Sequence, residues 1–241
     1  MRFYLSGLAL ILISSIAIGS SIQAGEGKHL FILSGQSNMQ GHRPEEAFTP
    51  TVKEALGAEQ VIVVQDALGG QPIQRWYKAW KDPEGNRPEM TGDLYDRLMK
   101  KVAPEIEGET LASITFIWMQ GERDAKMKWG SVYEASLKGL HQQISKDLDR
   151  DDIGFVIGRL SDFDLDNKRY PDWTKIRDIQ VKVADSSPTF AWVNTDDLND
   201  GLNRAGKEIS NDLHYSKSGY KQLGQRFAKA ALEMIQAAPN Q

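Results

Sequence analysis

The chain has 241 residues, a formal net charge of −4 and no cysteine. That length suits one ordinary domain with one sizeable core, and the modest charge offers no basic field to recruit nucleic acid. The missing cysteines exclude disulfides, thiolate metal sites and cysteine nucleophiles.

Met1 to Ala24 has the layout of a secretory signal peptide. Arg2 supplies the early positive charge, an apolar stretch runs from Leu8 through Ile18, and small residues lead to Ala24. Ile22 is bulkier than the residue usual near such a cut. The expectation is export with cleavage, a mature domain over 25–241, a secreted or periplasmic location and no lasting membrane association. No later segment has the ~18 consecutive apolar residues that a membrane helix needs.

In the mature chain, short apolar runs alternate with helical patterns. The runs are Leu30-Phe31-Ile32-Leu33, Val61 to Val64, Ile114 to Met119, Phe155 to Gly158 and Phe190 to Val193. Each is apolar at successive positions, as in strands covered on both faces. Between them, Leu94, Leu98 and Val102 mark one helix, and Val132, Leu137, Leu140 and Ile144 mark another. Ile176, Ile179, Val181 and Val183 allow a third, and a last helix spans about Ser216 to Ile235. This alternation predicts one three-layer α/β/α sandwich with about five parallel strands. Ligands of such sheets bind beyond the carboxyl ends of the strands, so chemistry is expected just after the apolar runs.

After the first run comes Ser34-Gly35-Gln36-Ser37-Asn38-Met39-Gln40-Gly41. Small residues around Ser37 permit a sharp turn that exposes its hydroxyl, and its backbone N–H there can face an oxyanion. A plain Gly/Ser/Asn loop reads the same way. A serine nucleophile needs a base, and the histidines are His29, His42, His141 and His214. His29 opens a strand and reads as structural. His42 is near enough to Ser37 for the site rim, and His141 sits within a helical pattern. His214, in Asn211-Asp212-Leu213-His214-Tyr215 before the last helix, is placed to reach back over the sheet edge.

After the third run, Trp118-Met119-Gln120-Gly121-Glu122-Arg123-Asp124 sets an amide and two carboxylates at a strand end. Gln120 is a candidate oxyanion donor; Glu122 and Asp124 can orient a histidine or pair with Arg123. After the second run, Gly69-Gly70 allows close backbone approach to a ligand. Arg75 and Trp76 are candidate substrate-binding residues, with Trp80 as a second aromatic; a core role is the commoner fate of any one tryptophan. Arg159 to Asp164 can line the cleft, and Trp129, Tyr170 and Trp173 are further candidates for stacking on sugar.

Together these segments resemble the SGNH hydrolases, and more narrowly the sialate O-acetylesterase-like and family 6 carbohydrate esterases. Gly35-Gln36-Ser37-Asn38-Met39 matches the first block, Gly69-Gly70 with Trp76 is similar to the second, and Trp118 to Asp124 matches the third, with Gln where other SGNH enzymes carry Asn. Asp212-Leu213-His214, with Gly219 and Leu223-Gly224 behind, resembles the last. The matches run in the family's order from Leu30 to Phe227. The resemblance implies an SGNH/flavodoxin-like fold. It further implies Ser37 as nucleophile, His214 as base, and an oxyanion held by the N–H groups of Ser37 and Gly70 and the amide of Gln120. It implies an acetylated carbohydrate substrate and no cofactor or metal. The third triad member stays open: many SGNH enzymes place it three residues before the histidine, where this chain has Asn211, so Asp212 and Glu122 are the candidates. A lipid or thioester acyl hydrolase of the same fold and a non-catalytic carbohydrate-binding protein are the alternative readings. The sequence leaves the oligomeric state open.

Overall fold

The computed structural model describes residues 27–237, so the expected export segment lies outside the described residues. Five strands form one sheet: β1 (Lys28–Gly35), β2 (Val61–Ala67), β3 (Leu111–Met119), β4 (Gly154–Gly158) and β5 (Phe190–Val193). Their order is β2-β1-β3-β4-β5 and every pairing is parallel. These are the five apolar runs, extended at some ends. The inner strands are sealed on both faces, with every residue of β4 and all but Lys28 of β1 buried, whereas the edge strand β2 alternates between buried and half-buried.

The chain steps outward from β1 to β2, then crosses back to β3 on the other side of β1. The reversal opens a crevice between the carboxyl ends of β1 and β3, which is where the α/β rule places a ligand.

Seven α-helices appear among the described residues. Four are those expected: α3 (Asp93–Ile106), α5 (Gly130–Asp147), α6 (Trp173–Ala184) and α7 (Lys217–Ala237). The helix α2 (Phe48–Leu56) buries Phe48, Val52 and Leu56 at a four-residue spacing; Pro50 in its first turn, a position that tolerates proline, hides the pattern. Two short helices, α1 (Ser37–Gly41) and α4 (Glu122–Met127), sit just past the ends of β1 and β3. A small antiparallel pair, β6 (Gly201–Leu202) with β7 (Glu208–Ile209), stands before α7. Right-handed crossovers send α3, α5 and α6 to one face of the sheet and α2 to the other, where it packs on α7.

The histidines other than His214 belong to this packing. His29 Nδ1 lies 2.7 Å from the Ser113 hydroxyl, and His141 Nε2 donates to the Ile153 carbonyl at 2.9 Å while stacking on Phe155. His42 does not reach the site rim. It is buried edge-on to Phe48 and Phe227, and neither ring nitrogen has a hydrogen-bond partner among the described residues. Gly224 makes room for it, since a Cβ there would meet its Nε2 at 2.8 Å.

Burial lowers the pKa of His42 from 6.5 to about 4, with nearby Glu46 raising it and Arg204 lowering it further. Between those values the unfolded chain binds a proton that the folded one refuses, so stability falls as pH drops. The expected loss from this group between pH 7 and pH 4 is about 3 kcal/mol. Urea unfolding of wild type and His42→Leu at both pH values measures it. The variant should lose less stability than wild type by about that amount; parallel losses would show that His42 is not the cause.

Candidate active site

The crevice begins with a glycine the backbone cannot replace. Gly35 ends β1 at φ +144°, and a Cβ there would collide with the Met119 carbonyl at the end of β3. This close approach lets the Gln36 N–H donate to that same carbonyl at 3.0 Å. The chain then turns into α1 with Ser37 at its first position, half-buried at the sheet edge.

His214 arrives from the other end of the sequence. It is exposed in the loop before α7, and its Nε2 lies 3.1 Å from the Ser37 hydroxyl oxygen. Nothing in either local segment specifies this meeting. The histidine loop is seated on the segment after β5: Asp212 N–H donates to the Asn199 carbonyl at 3.2 Å and Ser216 N–H to the Leu198 carbonyl at 2.9 Å. Gly219 permits that seat, because a Cβ there would strike the Leu198 carbonyl.

The two carboxylates considered for the histidine are placed differently. Asp212 Oδ1 accepts the backbone N–H of His214 at 2.9 Å and stands 3.9 Å from its Nδ1, beyond hydrogen-bond reach. Glu122 is buried below the crevice, with Oε1 accepting from the Asn38 amide at 3.0 Å and Oε2 without a partner among the described residues. The same Asn38 amide donates to the Leu213 carbonyl at 3.0 Å, and the Tyr220 hydroxyl donates to Asn38 Oδ1 at 3.1 Å.

Gly69 and Gly70 follow β2 on the other side of Ser37. Gly69 N–H donates to Gln40 Oε1 at 2.9 Å, and a Cβ on Gly69 would come within 3.3 Å of the Ser37 Cβ. Gly70 adopts φ +70° with open space around it. Neither its N–H nor that of Ser37 donates to an acceptor among the described residues. Two backbone donors are therefore available close to a serine hydroxyl that already faces an imidazole.

A sequence profile of the family described as carbohydrate esterase, sialic acid-specific acetylesterase, matches residues 43–233. The chain belongs to that family. The match holds His214, Gly70 and Glu122 and begins just after the Ser37 turn. Comparison with curated proteins gives no match. Among solved structures, the carbohydrate esterase is similar in fold to a protein from Arabidopsis thaliana at 19% identity and a TM-score of 0.64, over 86% of this chain and 98% of that one. A carbohydrate acetylesterase from Xanthomonas citri has a TM-score of 0.59 at 15% identity, and the alignment covers 87% of this chain and 57% of that longer one. A lipase/acylhydrolase from Enterococcus faecalis gives 0.51 at 16% identity, covering 88% and 99%. At these identities the structures share the SGNH fold with the esterase.

Three candidates from the sequence take other positions in the esterase. Gln120 is fully buried, and its amide nitrogen faces Asp124 Oδ2 at 2.5 Å, the Gln71 carbonyl at 3.1 Å and Gln36 Oε1 at 3.2 Å. Two amide hydrogens meet three protein acceptors, so none is left for an oxyanion. Trp76 is also sealed: its indole N–H donates to the Ser34 hydroxyl at 2.9 Å and its ring meets Trp118 edge-on. It is core, as are Trp80 and Trp173. Arg75 grips both oxygens of Asp93 at 2.6 Å and Gln71 Oε1 at 2.7 Å, so its guanidinium braces the glycine loop from outside. Trp129 and Tyr170 remain half-buried. Arg159 pairs with Asp196 and stacks on Trp192, a structural role.

Sequence reasoning missed Asn38 and Tyr220, and read Asp124 as an orienter of a histidine or a partner of Arg123, not as a loop clamp. Asp124 Oδ2 accepts the Ile73 N–H at 3.0 Å as well as the Gln120 amide, and so clamps the far end of the glycine loop. Burial pushes its carboxyl up to about 7, against the hydrogen bonds from Gln120 and Ile73 that favour the charge. A polar residue next to each motif glycine or serine was the available signal, but its partners lie far away in sequence. Asp124→Ala would strand the buried Ile73 N–H, costing about 1–3 kcal/mol, while Gln120 keeps the Gln71 carbonyl and Gln36 Oε1 as acceptors. A loss of about 1–3 kcal/mol in urea unfolding is expected, and a loss below about 0.5 kcal/mol would show that Asp124 does not hold the loop.

Proposed function

We propose that the esterase removes O-acetyl groups from carbohydrate through an acyl-serine intermediate, with Ser37 as nucleophile and His214 as base. The observation that carries this reading is the 3.1 Å approach of His214 Nε2 to the Ser37 hydroxyl, between strand-end loops 177 residues apart. His214 takes the hydroxyl proton as Ser37 attacks the ester carbonyl. The tetrahedral oxyanion is held by the N–H groups of Ser37 and Gly70, in a site where such donors need no reorganisation. On collapse, the protonated imidazole gives its proton to the departing sugar oxygen, leaving acetyl-Ser37. Water, deprotonated by His214, then releases acetate and restores the hydroxyl.

Asp212 is the third member in this reading. From 3.9 Å it favours the imidazolium electrostatically, and by capping the His214 N–H it also shapes the loop. Gln120 serves as a clamp rather than an oxyanion donor. The half-buried Ser37 and exposed His214 leave room for a bulky alcohol such as a sugar ring. Sialic acid is the substrate class named for the family, and this chain's own acetylated sugar is proposed no more finely than carbohydrate. The layout of residues 1–24 supports export to the periplasm or medium, which N-terminal sequencing of the mature protein checks.

Acetate release from a panel of acetylated glycans, alongside a chromogenic acetyl ester, tests the proposal. Ser37→Ala and His214→Ala should each lower kcat by on the order of 10⁴-fold or more while the protein stays folded. Full activity in the serine variant would refute the nucleophile. Octanoyl esters should react more slowly than acetyl esters; the reverse preference would favour a long-chain acyl hydrolase.

A further inference from the structure

His214 is not held by a buried carboxylate. Its Nδ1 has no hydrogen-bonded acid among the described residues, since Asp212 Oδ1, which accepts the backbone N–H, lies 3.9 Å from the ring nitrogen. The imidazole therefore depends on the backbone that carries it. From below, that backbone is gripped by Asn38, whose amide nitrogen divides between the Leu213 carbonyl and Glu122 Oε1, both at 3.0 Å. Leu213 immediately precedes the base, and Asn38 immediately follows the nucleophile. One side chain thus spans the gap between the serine turn and the histidine loop, and Tyr220 from α7 fixes its orientation through Oδ1 at 3.1 Å.

Glu122 completes the grip. It is fully buried, its one side-chain partner is the neutral Asn38 amide, and its other oxygen has no partner among the described residues. No cation pairs with it among those residues, and its titratable neighbours are Asp124, Tyr133, Tyr170, Tyr215 and Tyr220. Burial raises its pKa to about 7. The Asn38 amide donates to it and to Leu213 at once, and no ion pair joins it to His214 among the described residues.

We propose that Asn38 is a positioning residue that locks the His214 loop onto the Ser37 turn, and that Glu122 acts as its hydrogen-bond acceptor and not as the counter-ion of the imidazole. This rests on the reading of Ser37 and His214 as nucleophile and base. An amide cannot stabilise an imidazolium at a distance, so the whole contribution of Asn38 is geometric. Loss of this kind of alignment typically costs about 10²-fold when reacting groups shift by ~1 Å.

The test is the steady-state kinetics of acetyl-ester hydrolysis in five variants, with folding checked by circular dichroism and thermal melting. Asn38→Ala is expected to lower kcat by about 10- to 100-fold with KM little changed. Glu122→Ala should fall comparably, whereas Glu122→Gln, whose amide oxygen can still accept from Asn38, should recover most of that loss. Combining Asn38→Ala with Glu122→Ala should be no slower than the slower single variant, because the two act as one unit. Tyr220→Phe removes only a hydroxyl, keeps the fold, and should lower kcat a few-fold, giving a readout even where Asn38→Ala is too unstable to assay. Wild-type kcat in Asn38→Ala, or in Tyr220→Phe if that variant alone is assayable, overturns the proposal. So does a Glu122→Gln variant as slow as Glu122→Ala, which would assign the role to the carboxylate charge. Ser37→Ala, run in parallel, separates this outcome from failure of the site itself: full activity there rejects the nucleophile whatever Asn38 does.

Discussion

A layer of polar side chains is sealed beneath the carboxyl edge of the sheet, and each of them must find a hydrogen bond where water cannot supply one. Ser34, Gln36, Asn38, Gln120, Glu122 and Asp124 are all buried there. An unpaired buried donor costs far more than a paired one contributes, so the partners of these groups are effectively compulsory. Several of those partners are backbone groups at the strand end or in the loops above it: the carbonyls of Asp66 in β2, of Gln71 and of Leu213, and the N–H of Ile73. The loops above the sheet are irregular, but this layer ties them down.

The same constraint explains how a site can be both exposed and ordered. Ser37 and His214 reach solvent and have few contacts of their own. Their backbones, however, are anchored one residue away, by Asn38 on one side and Leu213 and Tyr215 on the other. The two side chains on the rim then ride on atoms fixed in the interior, as suits loops carried by a rigid α/β scaffold. The glycine loop follows the same plan. Gln40 holds it at Gly69, Gln120 at Gln71 and Asp124 at Ile73, leaving Gly70 with its N–H free at the crest.

The family relationship and this architecture agree, and the structure gives two of the motif residues supporting positions. Gln120 and Arg75 stand beside the site and stabilise its walls, although their types also suit direct contact with a substrate or oxyanion. The difference is one of burial. Gln120 lies under the loop that it clamps, and the charge of Arg75 is matched by Asp93. Residue type shows what a group can do, while exposure and prior partners decide what it is free to do.

The sequence by itself determined the strands and the layer order, because apolar runs and helical spacings are local consequences of which faces must leave water. All five strands and the helices marked by Leu94, Val132, Ile176 and Leu223 were legible on that basis; α2 was hidden by Pro50, and the β6–β7 pair was too short to show. It also put Ser37 and Gly70 just past strand ends and His214 just before the last helix, although Ser37 opens the short helix α1. Only the tertiary structure decided that Trp76 faces inward, that His42 lies among phenylalanines, that Asp212 stops short of the imidazole, and that Asn38 joins the two halves of the site. Each of those outcomes depends on distance or burial between segments far apart in the chain, and local patterns of polarity carry no record of which distant loop a side chain will meet.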